Sequence, residues 1–221
     1  MKIGFLITLL ITGIHFSTFS QETSEDKIFD YAETKHEFSL DIAPIIQGNY
    51  PSSLLYRQHY ISKNGKNVAL RLGAQLGANV SSTETQNNSQ GSQVVGRNHQ
   101  SLYVFVGKEW QKQFHPRIIG YYGADLNFGL SRSLSKVNAS PSNPSEIINR
   151  DHSISIGTIG FLGMKYHFSK HFSVSAETGA SLSFNSWKSD ASSNNNVAVN
   201  QSNNLSLGMI PLRAIRFAFH F

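Results

Sequence analysis

The sequence predicts an all-β chain, an eight-stranded antiparallel transmembrane up-and-down β-barrel. Three observations predict it. First, apolar residues recur on every second position in separate stretches, as in Ile215, Phe217, Phe219 and Phe221, with Arg216, Ala218 and His220 between them. A period of two is a strand with two unlike faces. Second, charged residues are 15% of the chain, against about 25% in soluble domains. Mean hydropathy is nevertheless −0.25, too polar for a helical membrane protein. Ser, Asn, Gln, Thr and Gly replace the missing charge, as strands half apolar and half polar require. Third, the connections alternate between short and long. Membrane barrels sort their periplasmic turns and external loops in this way, and β-sandwiches have no reason to.

The totals bound the rest. A chain of 221 residues makes one domain, and the absence of cysteine excludes disulfides, thiolate metal sites and a lipoprotein anchor. A formal net charge of +5 comes with no basic run interleaved with aromatics, so no nucleic-acid partner is expected. Lys2, the apolar run from Ile3 to Phe16 and the small residues of Thr18-Phe19-Ser20 read as a secretory signal peptide cut before Gln21. Residues 1–20 are thus the signal peptide, 21–35 a polar periplasmic leader and 36–221 the barrel. No other run is long enough for a membrane helix, so an exported membrane protein of this sequence must cross with strands.

The strands follow in order. The first is expected over His36–Ile46, where Phe38, Leu40 and Ile42 alternate with Ser39, Asp41 and Ala43, and Pro44 marks a bulge or rim. The second, Leu54–Ser62, and third, Asn67–Asn79, flank Asn64-Gly65, a strong hairpin signal. In the third, Val68, Leu70, Leu72 and Leu76 oppose Ala69, Arg71, Gly73, Gln75 and Gly77. The facing of the second stays open. A two-residue turn places Tyr56, Gln58 and Tyr60 beside Arg71, whereas keeping charge out of lipid places Arg57 and His59 there. The fourth and fifth strands are Gln100–Trp110 and Arg117–Leu130. The sixth and seventh, Ser153–His167 and Phe172–Phe184, are joined by a tight connection. The eighth runs from Leu205 to Phe221. Residues 80–98, 131–152 and 185–204 read as long polar external loops, with both termini periplasmic.

The exported start resembles that of a known group, as do Tyr121-Tyr-Gly-Ala-Asp-Leu126, the hairpin from Phe161-Leu-Gly-Met-Lys-Tyr-His-Phe-Ser169 to Ser175-Ala-Glu-Thr-Gly179, and Arg216-Phe-Ala-Phe-His-Phe221. The likeness is to the small outer-membrane β-barrel proteins of Bacteroidota-type bacteria, and it covers nearly the whole mature chain. It implies outer-membrane lipid as surroundings. It also implies that the terminal aromatics Phe217, Phe219 and Phe221 are the assembly signal read by the barrel-assembly machinery. It implies no particular substrate.

Charges on a lipid-facing surface cost about 2–4 kcal/mol for Arg or Lys at the midplane. Asp41, Arg71, Glu109, Asp125, Lys165, Glu177 and Arg216 therefore belong on the inner face. There an eight-stranded barrel is only wide enough for side chains to fill, so an internal ion-pair network that plugs the lumen is expected. Gly73, Gly77, Gly107, Gly123, Gly157, Gly163 and Gly179 share that face and leave room for Tyr103, Phe105 and Tyr121. Trp110, Tyr122, Tyr166, Phe172 and Phe221 fit the interfacial girdles.

Other constellations are weaker. His167 and His171 flank a turn with no carboxylate, so no metal site and no cofactor is expected. The external loops hold Glu84, His99, Glu146, Asp151, His152 and Asp190. Asp151-His152 is the most suggestive pair, but no nucleophile motif accompanies it and no enzyme activity is expected. The Asn-x-Ser triplets at Asn87, Asn138 and Asn204 read as loop solvation. The leading functional expectation is a structural or surface-interaction barrel whose loops meet any extracellular ligand. A small channel or carrier for small or apolar solutes comes next, and a lipid-modifying enzyme last.

Overall fold

The computed structural model describes residues 34–46, 48–51, 53–87, 91–137, 147–193 and 196–221. The expected signal peptide, most of the leader, and Asn138, Pro141, Pro144 and Glu146 lie outside the described residues. The strands are β1 (His36–Asp41), β2 (Ser53–Ile61), β3 (Asn67–Asn87), β4 (Gly91–His115), β5 (Ile118–Val137), β6 (Ile147–His167), β7 (Phe172–Ser193) and β8 (Asn196–His220). Each pairs antiparallel with its sequence neighbour, and β8 returns to β1, closing the barrel in the order β1 to β8.

The turns between β2 and β3 and between β6 and β7 fall where the sequence placed them, whereas β4 runs on to His115, past the Trp110 at which it was expected to end, because Gln111 to His115 stay paired with β5. Ser62 donates to Lys66 O at 2.9 Å and Gly65 to Ser62 O at 2.9 Å, with Gly65 at φ +70°. This three-residue loop with a left-handed glycine pairs Arg57 with Arg71 and so settles the facing of β2. Leu55, Arg57 and His59 turn inward, while Tyr56, Gln58 and Tyr60 turn outward.

Two further expectations need correction. The first strand ends at Asp41, and Ala43–Ile46 forms one helical turn, α1. Asp41 Oδ1 accepts the Ala43 N–H at 3.1 Å, Pro44 sits in the first turn where its missing donor costs nothing, and Gly48 at φ +78° ends the turn. The second correction concerns the long loops. β3 and β4 pair out to Asn87 and Gly91, β5 and β6 to Val137 and Ile147, and β7 and β8 to Ser193 and Asn196. The described residues of these polar stretches are ladder. Where both faces of a strand meet water no apolar alternation is needed, so the period-two signal vanishes while the backbone pairing continues.

The ring is uneven. β1 joins β8 only over Glu37–Asp41 against Arg216–His220, and β2 joins β3 only up to Ser53 against Gln75. Beyond that level β3 to β8 continue as a curved six-stranded wall. Among the described residues no ladder joins β3 to β8 there. The barrel is thus closed at its terminal end and notched on one side toward the hairpin tips. At the closed end the seam includes the final residue: His36 N donates to Phe221 O at 3.0 Å and Phe221 N to His36 O at 2.9 Å.

The outer wall is apolar. Leu72, Val106, Leu126 and Leu182 fall in one cross-strand row, and Val104, Phe128, Ile156 and Phe184 in the next. Leu126, Ile156 and Leu72 are 65%, 59% and 56% exposed. On β6 this belt runs from Tyr166 to Ile154, roughly 30 Å of height at ~3.3 Å per residue and a ~40° tilt. Trp110 stacks on Tyr122 at 5.6 Å, and Phe168, Phe172, Phe217, Phe219 and Phe221 form a chain of ring contacts at the terminal rim.

Candidate functional site

The inner face of the closed end holds the charges. Asp41, Arg71, Glu109, Asp125, Lys165, Glu177 and Arg216, from seven strands, are all buried. With them are Glu37, Arg57 and Arg213, which the sequence reading did not include. Glu37 lies on the face of Ser39 and Asp41, so strict alternation would have found it. Arg57 was one of two open choices. Arg213 had no sequence signal. Glu177 pairs with Ala214 but Gly179 pairs with Ile210, so Pro211, Leu212 and Arg213 bulge opposite Thr178 alone. Thr178 Oγ1 donates to Ile210 O at 3.0 Å, and Leu212 stays outside while the Arg213 side chain is 9% exposed. The proline forces the irregularity, and the irregularity turns the arginine inward.

The ion pairs form one continuous cluster. Arg71 reaches Glu109 at 2.8 Å, Glu177 at 3.0 Å and Asp125 at 3.2 Å. Arg213 reaches Asp125 at 2.7 Å and Glu177 at 2.8 Å. Arg57 lies against Glu37, Glu109 at 3.0 Å and Glu177 at 3.7 Å, and Lys165 bonds Glu37. Gln111 donates to Glu109 at 2.7 Å. Arginine suits this role because its planar fork can serve several carboxylates at once.

Asp41 and Arg216 are inside but stand apart from the paired cluster. Asp41 Oδ1 accepts the Ala43 and Ile215 backbone donors, at 3.1 and 3.2 Å, so it ties α1 to β8. Arg216 faces Asp41 across the β1–β8 seam, and its Nε and Nη1 have no hydrogen-bond partner among the described residues. Glu177 forms its ion pairs with Arg71, Arg213 and Arg57. Counting all of them, Arg57, Arg71, Lys165, Arg213 and Arg216 balance Glu37, Asp41, Glu109, Asp125 and Glu177.

Aromatic rings roof the cluster. The Arg71 guanidinium lies 3.8 Å from the Phe161 ring centroid, Arg57 lies 5.2 Å from Tyr121, and Arg213 sits 5.5 Å from both Phe105 and Phe161. Inward glycines receive these rings. A Cβ on Gly73 would lie 2.0 Å from Phe105 Cζ, and one on Gly163 would lie 2.2 Å from Tyr121 Cζ. Large side chains therefore fit only because the facing positions have none.

At the terminal mouth, Glu37, His59 and His220 bring potential ligand atoms within 4.8 Å of one another. This is where histidines converge, rather than at His167 and His171. His171 Nδ1 contacts His220 O at 3.0 Å, and the His167 and His220 rings lie 4.7 Å apart. The Glu37 carboxylate is already shared by Arg57 and Lys165, so a divalent ion would have to displace a cation to bind. Asp151 and His152 are successive strand residues, so their side chains project to opposite faces. Asp151 is half-buried and His152 exposed; they make no dyad. Glu84, His99 and Asp190 also lie on strands rather than in loops. Chemically the inner cluster is a set of carboxylates neutralised by guanidinium groups and the Lys165 ammonium.

No family model and no curated protein matches the chain. Among solved structures, the ferric yersiniabactin uptake receptor of Yersinia pestis is similar over 71% of this chain and 24% of the receptor, with 11% identity and a TM-score of 0.42. The chain thus spans about a quarter of that receptor's length, and the likeness carries no argument about role.

Proposed function

We propose that the chain is an outer-membrane β-barrel with a plugged floor, both termini periplasmic, that acts at the cell surface through its external hairpins and carries out no catalysis. One observation carries this reading: the wall is inside out. Leu72, Leu126, Ile156 and Leu162 face outward while Arg57, Arg71, Glu109 and Asp125 are 0% exposed within. Water would penalise such an apolar exterior, at roughly 25 cal/mol per Å², and lipid would not. The short turns lie with the termini and the extended hairpins lie opposite, which supports the orientation. The likeness to small Bacteroidota-type barrels supports the same compartment, with Phe217, Phe219 and Phe221 as the assembly signal.

The notch between β3 and β8 favours a second reading, a carrier that passes an apolar solute sideways. It shares the closed floor. Planar-bilayer recording of the purified protein tests that floor. No steady ion conductance is expected, and stepwise, long-lived conductance would replace the plug with a pore.

A further inference from the structure

Arg132, His152 and Gln100 lie outside the luminal cluster and on the opposite face of the wall. In the register Gln100 pairs with Arg132, Arg132 with His152 and His152 with Lys188, so four polar side chains form one outward row across β4 to β7. Gln100, Arg132 and His152 are exposed. The adjacent outward row, two residues nearer the closed end, is Leu102, Leu130 and Ile154. Gln100, Arg132 and His152 of the first row and the whole of the second line one groove of about 440 Å³, with Ser101, Ser131 and Ser153 between them. Arg150 and Lys136 lie on the same face, one and two rows farther out. Among the described residues of β4 to β7 the outward face carries a single carboxylate, Asp190. It lies 3.4 Å from Lys188 in an exposed pair that binds weakly. Asp151 points the other way.

We propose that this groove is a binding site for an outer-leaflet lipid whose phosphate headgroup carries net negative charge. The inference rests on the outer-membrane reading. The groove has the two halves such a molecule needs in the right order. Leu102, Leu130 and Ile154 take an acyl chain where the apolar belt ends. Arg132, His152 and Gln100 offer guanidinium, imidazole and amide donors to the headgroup just beyond it. Arginine pairs with phosphate through two parallel N–H bonds. Gln100, Arg132 and His152 are direct partners in the ladder, so the pairing fixes the spacing of the positions that carry the donors. An uncharged or zwitterionic headgroup would leave Arg132 less well satisfied, which is the basis of selection. The occupant is a membrane lipid and not free phosphate, because the apolar half of the groove has nothing to offer an inorganic ion.

The test uses the full mature chain inserted into phosphatidylcholine vesicles and titrated with phosphatidic acid, with bound lipid counted by native mass spectrometry. Wild type is expected to retain phosphatidic acid in preference to phosphatidylcholine, and millimolar inorganic phosphate is not expected to displace it. Arg132→Gln with His152→Gln should lower that retention roughly five- to tenfold, at about 1 kcal/mol per interfacial charge. Lys108→Gln with Lys112→Gln, near the opposite rim, should leave it unchanged. Equal retention by wild type and the Arg132/His152 variant, or no preference over phosphatidylcholine, overturns the site while leaving the barrel reading intact. Failure to insert into phosphatidylcholine at all overturns the membrane reading and the site with it.

Discussion

Glu177→Ala is expected to destabilise the folded barrel by about 3–5 kcal/mol, the cost of breaking a buried ion pair by removing one partner. Its carboxylate is the point where the cluster converges. It accepts hydrogen bonds from Arg71 at 3.0 Å and forms ion pairs with Arg213 at 2.8 Å and Arg57 at 3.7 Å. Removing it leaves guanidinium groups packed under Phe161 and Phe105 with less negative charge than they need. Thermal unfolding in detergent, followed as loss of the compact electrophoretic form, reads the effect. Glu177→Gln keeps the shape and should fall between. A Glu177→Ala protein that melts like wild type would mean that the inner charges are not a single network.

The second large effect concerns space. Gly123→Ala places a Cβ 2.1 Å from Lys108 O, 2.6 Å from Phe161 Cζ and 3.1 Å from Glu109 Cα. The first and last of these belong to the β4 backbone, which is held in its ladder by pairing on both sides. Neither β4 nor the Phe161 ring can yield without opening the β4–β5 seam or disturbing the Arg71 stack. The cost of such overpacking is about 1–3 kcal/mol or more, and the yield of folded barrel should drop sharply. Gly160 is the control. It lies on the outer face of β6, where a Cβ meets nothing within 4 Å, so Gly160→Ala should fold as wild type does. Equal yields from the two variants would contradict the close packing inside the closed end.

What was legible in the sequence follows from where alternation had a physical cause. Along the belt the outer face is apolar and the inner face a crowded polar interior, so period two is imposed on every residue. Arg71, Glu109, Asp125, Lys165 and Glu177 were readable for that reason, and so were the glycines opposite the rings. Beyond Asn79, Leu130 and Phe184 apolar residues are sparse and keep no regular period, and the ladders ran on unseen. Arg213 was hidden by the bulge at Pro211, which breaks the alternation on which its facing would have been judged. The Gln100–Arg132–His152 row was hidden differently. Its members lie far apart in sequence and meet only through the register, and two of them fell in segments read as loop. Asp41 was placed on the correct face, but its hydrogen bonds to Ala43 and Ile215 depend on α1, which a strand reading of His36–Ile46 had excluded.

The central claim is that the apolar wall faces lipid and the closed end seals it. Membrane fractionation of cells expressing the full chain, with each fraction run with and without boiling, tests it most directly. The account predicts the protein in the outer-membrane fraction, with a compact band that shifts only on heating, as expected of a barrel locked by its seam and its inner ion pairs. A mature chain recovered as a soluble periplasmic monomer, with mobility indifferent to heating, would contradict it.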